Sequence, residues 1–227
     1  MQKLIDKIGI DAYKFYKEIA TGNNKTLKKG AFIVPTYCAN REESGLEPYV
    51  QSKTMQPAKD VIVDFQNGTT RELVVYDDGI LVDPGTLMQS LREALEDKVI
   101  FKKQKIQSFS ELAEPIIINC TGYGAKKLTN DDKMVTVQGH LIMLKDQNPQ
   151  DINHMIFIYC DKGKTKSGFP ITRAFYMFPK RFPNSDERDI GVIGGTFIKG
   201  ADTDTPHLEE FDIMIKRAKA FYGIKES

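Results

Sequence analysis

The chain has 227 residues, 41% hydrophobic and 28% charged, with 32 Lys and Arg against 31 Asp and Glu. A chain of that size and balance can bury a sizeable core, and a net charge of +1 offers no basic footprint for nucleic acid. Its longest apolar runs, such as 115–118, are strand-sized and too short to cross a bilayer, so no membrane contact is expected.

No charged leader followed by an apolar run suggests secretion. Cys38, Cys120 and Cys160 are widely spaced without a Cys-x-x-Cys, and His140, His154 and His207 form no ligand pattern. The expectation is no metal, buried thiols and a reduced, cytoplasmic setting.

In chain order, Leu4, Ile8, Phe15 and Ile19 recur at helical spacing, with Gly22 placed to stop the helix. Residues 30–35 read as a short strand ended by proline, and 38–56 as a polar loop. Two β-rich runs, 60–65 and 72–76, flank Asn67-Gly68, a dipeptide suited to a hairpin turn. Asp78-Gly79 then leads into Ile80-Leu81-Val82, which predicts an antiparallel meander.

The texture changes at Asp83, a cap for a helix with Pro84 in its first position. Leu87, Met88, Leu91 and Leu95 make its apolar stripe. Residues 99–109 read as strand, and the continuous run Pro115 to Asn119 as a strand buried on both faces. After Cys120 the chain returns to β texture at 134–144, 154–160, 174–178 and 190–198. A last helix opens at Thr205-Pro206, with Glu209, Glu210 and Asp212 early and Lys216, Arg217 and Lys219 late, as the helix dipole favours. Phe211, Met214, Ile215, Ala218 and Phe221 share its apolar face, and Gly223 ends it. Glu42, Glu43, Asp131 and Asp132 read as solvated loop charges. The predicted class is mixed α+β and α/β.

The run Ile116-Ile117-Ile118-Asn119-Cys120-Thr121-Gly122 resembles the strand and turn that meet the cofactor in the D-amino-acid oxidase family of FAD-dependent oxidoreductases. Other segments resemble that family in the same order: 83–109 before the turn, Ala125, Leu128, Asp131 and Gly139 after it, Tyr176-Met177-Phe178-Pro179, and Gly194-Gly195-Thr196-Phe197.

The resemblance implies a large mixed-sheet substrate lobe with flanking helices, plus part of an FAD-binding α/β lobe. Residues 1–82 and 134–227 would belong to the substrate domain and 83–133 to the FAD-binding part. It implies FAD as cofactor, with Ile106, Cys120, Thr121 and Gly122 lining it, and a small amine or amino acid as substrate beside Tyr176 and Thr172. The activity implied is hydride transfer from the carbon bearing the amine to the flavin. The catalytic groups are not assigned.

Arg173 is tempting as a carboxylate fork, but strand alternation puts it on the face opposite Thr172, Ala174 and Tyr176, so it reads as a structural or solvated charge. Gly122-x-Gly124 lacks the third glycine of a dinucleotide fingerprint, and no Gly-x-Gly-x-x-Gly occurs in the sequence. The resemblance therefore implies a parent chain with further N- and C-terminal segments, the latter holding the carboxylate-binding arginine. The alternative is a binding or interaction module that has lost FAD.

Overall fold

A computed structural model describes residues 2–225 apart from Glu43, Pro149, 181–190 and Asp202. Glu43 of the acidic pair and Ile190 at the start of the last expected strand thus lie outside the described residues. Helix α1 (Gln2–Ala20) is followed by β1 (Ala31–Ile33), β2 (Thr36–Cys38), α2 (Glu47–Gln51), β3 (Lys59–Asp64), β4 (Thr70–Tyr76) and β5 (Ile80–Val82). Then come α3 (Pro84–Leu95), α4 (Gly124–Thr129), β6 (Val137–Gln138), β7 (Leu141–Leu144), β8 (Met155–Lys164), β9 (Pro170–Pro179), β10 (Gly191–Lys199) and α5 (Leu208–Phe221).

An eight-stranded mixed sheet in the order β3-β4-β2-β8-β9-β10-β6, with β7 also on β10, organises the molecule. β2 joins its two halves, antiparallel to β4 and parallel to β8. Strands from the first and last thirds of the sequence therefore share one sheet. The hairpin β3–β4 forms as expected. Its turn is longer than a two-residue Asn-Gly loop, though: Phe65 N–H bonds Thr69 O, and positive φ falls on Gln66 and Gly68.

The meander does not extend to β5, which leaves the large sheet and pairs with β1, Phe32 opposite Leu81. The expected loop at 38–56 contains β2's last residue and α2. In α1 the buried side chains are Tyr13 and Ile19, whereas Leu4, Ile8 and Phe15 of the predicted stripe are exposed. Tyr13 donates to Asp78 O and Lys17 pairs with Asp78, so polar contacts also tie this helix to the turn before β5.

α3 starts where the sequence places it. The Asp83 carboxylate accepts the N–H groups of Gly85 and Thr86 and the Thr86 hydroxyl, closing donors the helix leaves open. Leu87 packs with Ile19, Leu27 and Ala31, but Met88 faces out.

The segment after α3 overturns two expectations. From Ile100 to Thr121 the described backbone is coil, apart from one 3₁₀ turn at Phe109–Glu111, so neither 99–109 nor 115–119 is a strand. Ile116 and Ile118 are 81% and 84% exposed. A run built for burial on both faces needs neighbouring strands, and none of the described residues supplies them. Of the thiols only Cys38 is buried; Cys120 and Cys160 are exposed, because one sits in this coil and the other at a sheet irregularity.

α5 covers one side of the sheet with Glu210, Met214 and Ala218 inward and Ile215 at the rim. Phe175 and Met177 of β9 meet Phe221 and Tyr222 there. No helix among the described residues is long and apolar enough to cross a membrane.

Candidate functional site

β9 runs unbroken through the middle of the sheet, so alternation assigns its side chains to two faces. Arg173, Phe175 and Met177 point to α5, and Thr172, Ala174 and Tyr176 to the other side. Arg173 is structural: its Nε and Nη2 donate to the carboxylate of Glu210.

On the opposite face Tyr176 is the centre of an aromatic slab. Phe157 stacks on it at 6.1 Å between centroids and 10° between planes, and Phe178 at 5.5 Å and 17°. Phe197 leans in at 6.4 Å, and Tyr159 packs edge-on against Phe157. Gly194 is opposite Tyr176 in the register, and a Cβ there would overlap the phenol ring. The ring can lie flat on the sheet because that position has no side chain.

Neighbouring strands are re-phased around β9. On β8, Tyr159 pairs with Ala174 and Asp161 with Arg173, so Cys160 is an extra residue. On β10, Gly194 pairs with Tyr176 and Thr196 with Arg173, so Gly195 faces both Ala174 and Phe175. Gly195 has φ +145°, and a Cβ there would overlap the Ala174 carbonyl oxygen. The irregularities turn Asp161 and Thr196 toward α5, leaving Tyr159 and Phe197 on the aromatic face. Gly194-Gly195 is thus explained by close packing.

Burial raises the pKa of Tyr176, which keeps its phenol protonated at neutral pH. No hydrogen bond engages that hydroxyl among the described residues. Thr172 lies on the same face, paired with Phe197 and Lys162.

The Cys120–Gly122 bend is exposed and opens the short α4. Gly122 has φ +56° with nothing near its missing Cβ, so the turn's backbone requires the glycine, and the chain's own packing does not. Gly122 and Tyr123 share a groove of about 780 Å³ with Val137 and Gln138 of β6 and with Thr203 and Asp204. That groove lies on the edge of the same sheet, with β10 between β6 and the strand of Tyr176. Ile106 is half-buried in the coil upstream.

A dinucleotide pyrophosphate needs a row of free backbone donors. Around the bend Thr121 N–H goes to Asn119 Oδ1, Gly124 N–H to Thr121 O and Ala125 N–H to Gly122 O, which leaves at most the short Gly122–Tyr123 pair of amides for an anion. The Thr121 hydroxyl also donates to Asn119 Oδ1, so it faces a ligand only as an acceptor. A pair of amides on an exposed six-residue helix start is shorter than the row of donors that a dinucleotide pyrophosphate takes.

A second cavity of about 640 Å³ lies on the α5 side, lined by Tyr37, His154, Ile156, Met177, Phe221 and Tyr222. Its walls are core side chains, and burial depresses the pKa of His154, favouring neutral imidazole. Sequence reading singled out Tyr176 and Thr172, which the structure puts on one face, and did not name Phe157, Phe178 and Phe197 as neighbours of Tyr176. Phe178 was within reach by alternation, two residues past Tyr176; Phe157 and Phe197 required the pairing.

A sequence model for a family described as FAD dependent oxidoreductase (DAO) matches residues 7–226. A D-amino-acid oxidase of Streptomyces coelicolor is 30% identical over 147 residues, covering 62% of this chain. The match spans 38% of that relative's length.

Proposed function

The chain belongs to the DAO family of FAD-dependent oxidoreductases, and from that premise we propose that it contributes the substrate wall for oxidation of a small amine or amino acid. The observation that carries the reading is the open Tyr176 hydroxyl at the centre of an aromatic slab, on a sheet whose edge shares a groove with the Gly122 bend.

FAD, when bound, supplies the acceptor for the hydride that leaves the carbon bearing the amine. Cys120, Thr121, Gly122 and Ile106 would line its ring edge, while polypeptide outside this sequence would hold the pyrophosphate. In this reading residues 83–133 go with that FAD-binding part, and 1–82 with 134–227 form the substrate domain.

The chain's own groups bind and orient. Phe157, Phe178 and Phe197 present apolar surface that excludes water from the reacting carbon. The Tyr176 phenol would donate to a substrate oxygen, with Thr172 on the same face of the strand. The amine proton passes to solvent, and the imine then hydrolyses to a carbonyl compound. The D-amino-acid oxidase match supports an amino-acid substrate.

A second reading, an interaction module without flavin, draws on the exposure of Ile116 and Ile118. Flavin uptake by the native gene product separates the two. Gel-filtered protein incubated with FAD should retain flavin absorbance, and D-amino acids should bleach it under anaerobic conditions. Gly122→Val should weaken retention, and Tyr176→Phe should raise KM with FAD still bound. Protein that stays colourless with added FAD would leave the interaction reading in place.

A further inference from the structure

His140 belongs to neither the aromatic face nor the bend. It interrupts the edge strand between β6 and β7 and is 4% exposed. Its backbone N–H and its Nδ1 both lie 2.8 Å from Thr196 Oγ1, and its Nε2 accepts the backbone N–H of His207 at 3.0 Å. A nitrogen that accepts a donor carries a lone pair, which places the ring proton on Nδ1, donating to Thr196.

His207 is the residue before α5 and makes no side-chain cap of its own. The imidazole from the strand break therefore closes a backbone donor at the helix start that would otherwise be orphaned. Rings of Phe211 and His207 stand edge-on to it at 5.1 and 6.0 Å. The titratable groups facing it are His207, just before α5, and Glu209 and Glu210 in its first turn. Glu210 is held by Arg173 of β9, and Glu209 sits beside Lys166 of the β8–β9 turn. β10 contributes only the neutral Thr196.

We propose that His140 is a pH-operated latch on α5: neutral, it holds the helix start to the sheet, and protonated, it lets the first turn go. Protonation puts an N–H where the His207 N–H already points, in a site closed to water, and adds positive charge at the positive end of the helix dipole. Glu209 and Glu210 draw the proton in, but both carboxylates are already engaged. Burial and His207 hold the imidazole below its ordinary range, in the direction the geometry requires. The turn that is released carries Glu210, so opening also uncovers Arg173 on the back of the strand that holds Tyr176.

Hydrogen exchange of the whole chain between about pH 7.5 and 5, corrected for intrinsic rates, tests the latch. In the wild type, exchange over 207–212 should rise by up to about tenfold per pH unit as pH falls below the open-state imidazole pKa of about 6.5, and level off below the latch midpoint. In His140→Gln, whose amide oxygen can still accept from His207 but does not titrate, it should stay flat. Parallel curves for the two proteins, or a flat wild type, would overturn the proposal. Should His140→Gln not fold, wild-type NMR titration decides: the His140 ring protons and the amides of 208–212 must shift with one midpoint, and independent midpoints end the idea.

Discussion

The guanidinium of Arg173 grips the carboxylate of Glu210 through two parallel hydrogen bonds, Nε to Oε2 at 2.7 Å and Nη2 to Oε1 at 2.6 Å. Glu210 is 1% exposed, and Asp161, brought to this face by the irregularity at Cys160, lies 3.4 Å from Arg173 and also pairs with Arg217. This fork ties α5 to the central strand from the side opposite Tyr176.

Breaking that pair from one side should be costly. Arg173→Ala or Glu210→Ala leaves a buried charge uncompensated, and each should lower the unfolding free energy by about 3–5 kcal/mol. The double replacement Arg173→Met with Glu210→Leu should recover most of the loss, because both desolvated charges are gone. Urea titration of the four proteins checks it; single variants within about 1 kcal/mol of wild type would mean that water reaches the pair.

The thiols should divide by exposure. Burial and the nearby Glu47 push Cys38 up to about 11, whereas Cys120 and Cys160 are open to solvent. Iodoacetamide at neutral pH should label Cys120 and Cys160 in the native protein and Cys38 only in denaturant. Mass spectrometry of tryptic peptides reads the outcome. Native labelling of Cys38 would contradict the place of β2 between β4 and β8.

Stability should fall on both sides of neutrality, for opposite reasons. Burial lowers the pKa of His154 and His140, so the unfolded chain binds more protons as acid is approached. Their contribution is complete above the unfolded imidazole pKa of about 6.5 and is lost as pH falls through the lower folded values.

At the alkaline end burial pushes Tyr222 up to about 12 and raises Tyr13 as well, with Asp78 adding to the latter. That contribution is complete below the unfolded phenol pKa of about 10 and is lost as pH rises through the folded values. Urea midpoints measured from pH 5 to 11 should trace a dome. His154→Gln should flatten its acid limb and Tyr222→Phe its alkaline limb; an unchanged limb in either variant refutes that assignment.

Local chemistry was legible where a signal and its structure lie within a few residues. Asp83-Pro84 fixed the start of α3, and alternation along β9 put Arg173 and Tyr176 on opposite faces. The apolar run Ile116-Ile117-Ile118 misled for the complementary reason. Its composition states what surroundings it needs, but the described residues bring no strand beside it, and it stays exposed coil. Glu210 read as a helix-dipole acid; its burial became visible only once Arg173 stood opposite.

The sequence by itself determined the start of α3, the β3–β4 hairpin, the face of Tyr176 and the family resemblance, because capping, alternation and motif order act over short chain distances; α5 begins at Leu208, three residues past the expected Thr205-Pro206 opening. Only the tertiary structure decided that β5 leaves the meander for β1, that Cys160 and Gly195 re-phase β8 and β10, and that Phe157, Phe178 and Phe197 gather around Tyr176. Register between distant strands is set by how two surfaces pack, and no single segment carries that information.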